Sequence, residues 1–356
     1  MFGIFKKKIN QGQTAGTGAT AIQAGGAVSI IHTGLNLQDA RTVALDVFRS
    51  NFIELSGIAK EIASERAREV TQEFLEKLEK ENPNGLNHAN NPDFQYSLFI
   101  AQREYARSGD KDLSGLLVDL LVDRSKTENR DVLQIVLNES LNTAPKLTLE
   151  QVAALAVTFF IRYTQNGGVN NLDSLGAHLD LHIASLAPLI TRLKPATTQH
   201  LTFASCGTSS AVTMGLEAIY LDVYGGIFSR GFAEEELTKR GIAFNPLLMV
   251  NCHNDPTKYQ LRARNLDGLN EMLDQNQTPE DQRTLIRELY APNLMDVEGV
   301  RAKLIELRPY MKDILDAWST LSLGAFQLTS VGIAIGHAEL KRRSGTEFAD
   351  LRIWIN

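Results

Sequence analysis

Cysteine is scarce in this chain of 356 residues: Cys206 and Cys252 are the only two. That excludes a secreted disulfide framework and fits a reducing cytoplasm. No CxxC pair occurs, so the commonest zinc and thiol-redox patterns are missing. No GxxxxGK[ST] and no GxGxxG opening a helix occurs either, which removes the two best-known phosphate cradles. Gly25-Gly26, Gly167-Gly168 and Gly225-Gly226 are isolated pairs and read as turns or helix stops. Excess positive charge is also lacking. With a formal charge of -6, the surface is not that of a general nucleic-acid binder, which needs cations to displace counterions.

Residues 9–37 contain no Asp, Glu, Lys or Arg and are rich in Gly, Thr, Ala and Gln. Within them, Ile22 and Ala24 share a face at period two, and Val28 and Ile30 do so after Gly25-Gly26. Two short strands about a glycine pair predict a β-arch or hairpin. Two strands alone are marginal. Stacking with copies from other chains would pair their edges, and uncharged side chains would not repel. Ile22, Ala24, Gly25, Gly26, Val28 and Ile30 are therefore the expected oligomerisation residues.

Ahead of this segment, Met1 to Lys8 has no apolar stretch long enough for a secretory signal, and Phe2 stands where myristoylation needs glycine. It reads as a frayed terminus, or else as a weak membrane-surface anchor of aromatics and lysines.

Helical periodicity dominates the rest. Residues 38–81 predict one long helix striped by Phe48, Phe52, Leu55, Ala59, Ile62, Val70, Phe74 and Leu78 and stopped at Asn82-Pro83-Asn84-Gly85. If unbroken it is about 65 Å long. Its charged run from Glu61 to Glu81 reads as a solvated face. Further helices are expected near 92–107, 111–124, 128–141, 148–165 and 172–193, with Asp110, Thr148 and Asp173 as caps or first-turn residues. Leu113, Leu116, Leu117, Leu120 and Leu121 mark a buried face. Val152 to Ile161 is apolar nearly all round, as in a central helix. Beyond residue 196 the texture is mixed. Strands are expected at 201–204, 258–262, 325–328 and 348–355, the last two pairing across a helix at 330–343. Helices are expected near 213–224, 279–290 and 296–322. Ala317 to Gly336 carries no charge and is long enough to span a bilayer, but its polar residues and Gly324 favour a helix-strand-helix passage in the core.

Two constellations carry possible chemistry. His178 and His182 stand at i and i+4, a metal-ligand spacing, but Leu179 occupies the place of a zincin glutamate. The alternative is a pair of core histidines. Cys206 lies in a turn of small residues ahead of a helix, where a thiol is acidified, with His200 or His253 as a conceivable base. Val212 stands where a Cys-x5-Arg phosphatase has its arginine, and a buried cysteine is the alternative. Lys341-Arg342-Arg343 suits either an acidic partner or its own helix dipole.

Three stretches carry a resemblance: Asp93-Phe94-Gln95-Tyr96 leading into Ala106-Arg107-Ser108-Gly109-Asp110, Leu116 to Arg124 (LLVDLLVDR), and Leu328 to Gly336 (LTSVGIAIG). Together they resemble a family of uncharacterised bacterial proteins across most of residues 20–356. The Leu328-Thr329-x-x-Gly332 turn is also similar to proteins of the abortive-infection "alpha" type. That similarity implies a role in antiphage defence and transfers no catalytic residue. Ile22-Gln23-Ala24-Gly25 resembles the Ile/Val-Gln-x-Gly core of amyloid-signalling motifs, which recruit partners by β-stacking. Here the helices follow directly, so a closed oligomer is expected rather than a fibre.

The expectation is a mainly α protein: a multi-helical bundle with a long N-terminal helix, a few short strands and an N-terminal β-arch or hairpin. The units expected are a tail (1–37), the long helix (38–85), a helical domain (86–195) and an α+β domain (196–356). The function expected is a self-associating cytoplasmic sensor or adaptor in antiphage defence, with homo-oligomer and protein partners. No catalytic residue, cofactor, metal or general nucleic-acid binding is expected. A membrane-acting effector, and a hydrolase using Cys206 or a metal at His178 and His182, are the alternatives.

Overall fold

The computed structural model describes residues 36–51, 57–127, 129–346 and 348–355. The expected strand pair with Ile22, Ala24, Gly25, Gly26, Val28 and Ile30 lies outside these residues. What is described is mainly α: sixteen α-helices and two small two-stranded antiparallel sheets.

The N-terminal stripe makes two helices instead of one. α1 (Leu37–Asn51) and α2 (Gly57–Glu81) are separate, and Gly57 has φ +54, which a right-handed helix cannot continue. Phe48 packs with Ala63 and Ala67, so the two helices fold back on each other. α3 (Pro92–Ser108) and α4 (Lys111–Ser125) complete this layer. Asn91 caps α3 by accepting from the Asp93 and Phe94 amides, and Asp110 caps α4 by accepting from Asp112 and Leu113. α5 (Val132–Thr143) and α6 (Leu149–Tyr163) follow. Thr148 and Gln151 cap α6 reciprocally, and every residue from Gln151 to Ile161 is buried, as its composition predicts.

α7 (Leu172–His182), capped by Asn171, and the single-turn α8 (Ala187–Ile190) replace the expected long helix, with Pro188 starting α8. The expected strand at 201–204 belongs to a helix, α9 (Thr197–Phe203). Its apparent alternation was misleading, since Leu201 is fully buried and Phe203 is 82% exposed. β1 (Gly207–Ser209) and α10 (Leu216–Tyr224) come next.

A satellite core then forms from α11 (Glu234–Arg240), β2 (Met249–Asn251), β3 (Tyr259–Leu261), α12 (Leu266–Gln275) and α13 (Glu280–Tyr290), around Phe232, Leu248, Leu269, Leu273 and Leu289. The chain returns through α14 (Val297–Leu307) and α15 (Met311–Thr320). These were expected as one helix, but Pro309 holds Arg308 in extended backbone and breaks it.

β4 (Phe326–Leu328) does not pair with the C-terminal segment. It pairs with β1 across a wide stretch of chain, Gly207 opposite Leu328. Residues 348–355 make no strand; Leu351–Ile353 is a 3-10 turn, and the buried residues of the segment, Leu351 and Ile355, do not alternate as a strand would. Between them, α16 (Ser330–Ser344) packs most extensively on α6 and also against α4 and α5. A Cβ on Gly336 would stand 2.8 Å from the Leu155 carbonyl oxygen of α6, so only glycine allows this approach. One continuous cluster of buried side chains runs from Ala40 to Ile355 through these helices. No helix among the described residues is long and apolar enough to cross a membrane. The uncharged stretch 317–336 folds as the end of α15, β4 and the start of α16, with Trp318, Leu323 and Phe326 in the core.

Candidate functional site

Cys206 sits in the large core and is fully buried. Its S–H points to the Ala204 carbonyl at 3.6 Å, and burial pushes the thiol up to about 12. The turn around it is clamped by the Leu328-Thr329-x-x-Gly332 motif. Thr329 Oγ1 donates to the Ser205 carbonyl at 2.6 Å and accepts from the Gly332 amide. The Thr329 amide donates to the Cys206 carbonyl at 3.1 Å. A Cβ at Gly332 would lie 1.9 Å from that same oxygen. The motif is thus a cap for α16 that seats its first turn on the Cys206 backbone. Cys252, also buried, lies elsewhere: its thiol faces the Ser229 carbonyl at 3.4 Å. His200 bonds Gln151 at the start of α6, and the His253 amide donates to Gln260.

His178 and His182 do share a face of α7, with ring centroids 4.8 Å apart. Both rings also rest on Phe160 of α6, at 4.9 and 5.1 Å. Burial holds both imidazoles down at about 4, so they are neutral at ordinary pH. Among the described residues, no group of three or more His, Cys, Asp or Glu side chains gathers to hold a metal ion.

The third candidate, Lys341-Arg342-Arg343, finds acidic partners within the chain. Lys341 Nζ reaches Glu81 at 2.5 Å and stands 3.9 Å from Asp123. Lys126 pairs with the same two carboxylates, at 3.6 and 2.8 Å. Lys77 pairs with Asp119 at 2.6 Å. Arg342 joins Glu339 and Asp112, and Arg343 also binds Glu339. An ionic seam therefore lies between α2, α4 and α16, with Asp119, Asp123, Glu339 and Lys341 buried in it. Burial pushes Asp119 up to about 6 although Lys77 beside it acts the other way. Buried pairs of this kind add little net stability, but losing one partner costs about 3–5 kcal/mol, so they fix which helices may meet.

Sequence reasoning missed the seam. Lys77 and Glu81 belong to the charged run read as solvated, yet they turn inward. The signal available was Asp119 and Asp123, four apart on one face of the otherwise apolar Leu116 to Asp123 run.

A family model whose description reads ":-like" matches residues 34–355. The chain belongs to that family. The match spans every described element and begins after Ile30, so the expected association segment stands ahead of it. No curated protein matches the chain, and no solved structure does.

Proposed function

We propose that this protein is a self-associating sensor or adaptor that works through protein–protein contact in an antiphage-defence setting of the abortive-infection kind. Ile22, Ala24, Gly25, Gly26, Val28 and Ile30 form its association segment in this proposal. The supporting observation is the start of α2. Ile58 is 75% exposed and Ile62 43% exposed, one turn apart on the same face. On the same face lie exposed Glu65 and Glu69, with Glu61 and Arg68 along one edge. A second, antiparallel copy of this face would set Ile58 against Ile62 and cover the apolar pair from water in both chains. The face follows the association segment in the chain, so both would act in one assembly.

The other chemistry considered lacks comparable support. The Cys206 thiol is enclosed and held protonated, and His178 and His182 pack as neutral rings on Phe160.

Size-exclusion chromatography with light scattering tests the proposal on wild type, Val28→Asp, Ile58→Asp/Ile62→Asp and a chain starting at Asn36. Burying one Ile or Val contributes about 1.5–3 kcal/mol, and an assembly repeats that in every copy. The variants are expected to shift to smaller species with the helical far-UV signal unchanged. A single monomeric mass for all four overturns self-association.

A further inference from the structure

A small, partly open cavity lies beside the ionic seam, between the end of α4, α5, α16 and residues 348–352. Its volume is about 60 Å³. Asp123, Lys126, His337, Lys341 and Arg352 are among the side chains that line it. Two buried polar atoms on its wall have no hydrogen-bond partner among the described residues: Asp123 Oδ2 and His337 Nδ1. Asp123 is 8% exposed and His337 is 4% exposed.

Both orphan atoms are acceptors. His337 Nε2 lies 3.2 Å from the Ala349 carbonyl, which can only accept, so Nε2 carries the ring proton. Burial holds His337 below the ordinary histidine range, which leaves Nδ1 as a bare lone pair. Asp123 Oδ1 takes Lys126 at 2.8 Å, while Oδ2 is unused. An unsatisfied buried acceptor costs about 1–3 kcal/mol, so two on one wall call for a donor-rich occupant.

The rim has the opposite chemistry. The Arg352 side chain is about half exposed, and its nearest carboxylate oxygens, on Asp350 and Asp131, stand 3.6 and 3.7 Å away, outside hydrogen-bond range. It is loosely ion-paired with both, and neither pair uses one of its hydrogen-bond donors at close range. Lys126 and Lys341 already share Glu81 and Asp123, so the seam is charge-balanced without a ligand.

We propose that this cavity binds a small zwitterion of the amino-acid class, with its ammonium on Asp123 Oδ2 and His337 Nδ1 and its carboxylate on Arg352. Size sets the class further. At roughly 10–15 Å³ of such space per water, the cavity holds about four to six non-hydrogen atoms, which is the size of glycine or alanine. This site is independent of the self-association face, and neither proposal needs the other.

Thermal melts of the full chain test it, with glycine, alanine, leucine, methylammonium and acetate as probes. Glycine and alanine are expected to raise the melting temperature saturably. Leucine is too large, and methylammonium and acetate each supply half of the ligand, so none of these three should match that rise. Arg352→Gln, a half-exposed rim change that leaves the fold intact, should weaken the apparent glycine affinity by about tenfold or more. Asp123→Asn should abolish the shift. No saturable rise with glycine or alanine overturns the proposal. An undiminished rise in Arg352→Gln overturns it too, because the ligand then sits elsewhere. A crystal grown with glycine that holds only ordered water in the cavity is equally decisive against it.

Discussion

Gly336 offers a direct test of how α16 meets α6. In an isolated helix, Gly→Ala is favourable by about 1 kcal/mol, because alanine has less backbone entropy to lose. Here the added methyl would stand 2.8 Å from the Leu155 carbonyl oxygen, 3.0 Å from its carbon and 3.1 Å from Phe159 Cβ. Ordinary contact begins near 3.4 Å, so the helices must separate by about 0.6 Å along the closest line. Backbone cannot rotate away as a flexible side chain can. Overpacking of this kind costs roughly 1–3 kcal/mol, and separation also loosens Phe159 against Trp354 and His337. The contact outweighs the propensity gain, and Gly336→Ala is expected to lower stability by about 1–2 kcal/mol. Gly336→Val should lower it further, because branching adds bulk at the same point. Urea unfolding followed by circular dichroism measures this, with the slope unchanged and the midpoint moved. A Gly336→Ala protein as stable as wild type, or more so, would refute the close approach of the two helices.

The histidine pair on α7 gives a pH dependence of definite sign. His178 and His182 are held at about 4 in the folded chain against 6.5 when unfolded, so between those values the unfolded chain binds protons that the native one refuses. Their contribution is complete above about pH 6.5 and is lost as pH falls through about 4. The drop in urea midpoint between about pH 7 and about pH 4.5 should shrink in a His178→Leu/His182→Leu variant, and an equal drop in both proteins counts against the burial argument. Because the same two rings are spent on Phe160, purified protein should hold no stoichiometric zinc. About one zinc per chain by elemental analysis, lost in His182→Ala, would show otherwise. Neither Cys206 nor Cys252 is open to solvent, so both should react with a maleimide only after denaturant is added. Rapid labelling of the native protein would contradict the enclosed thiol.

Legibility in the sequence followed the range of the interactions. Caps and apolar periodicity are local, and Asp110, Thr148 and the run from Val152 to Ile161 lie where their patterns place them. Breaks set by a single residue were harder to see. Gly57 and Pro309 each divide a stripe whose periodicity continues past them. The pairing of β1 with β4 was hidden, because three-residue strands leave no alternation to read and their partners are 117 to 121 positions apart. The seam was hidden for another reason. A charged residue on a helix looks solvated until the helix that covers it is known, and Lys341 lies 260 positions from Glu81. For the two reactive candidates, spacing placed His178 and His182 correctly on one face. It could not show that Phe160 fills the space beside them.

The placement of α16 also sets a timetable for synthesis. α6 ends at Tyr163 and its main partner begins at Ser330, so the ribosome makes roughly 170 residues between them. At about 5–20 residues per second, the apolar surface of α6 waits some ten to thirty seconds for its cover. A chain cut short before Phe326 keeps that surface permanently uncovered, along with β1, which has lost β4, and Glu81 and Asp123, which have lost Lys341. Such truncations should be cleared as aggregation-prone species rather than persist as smaller working versions.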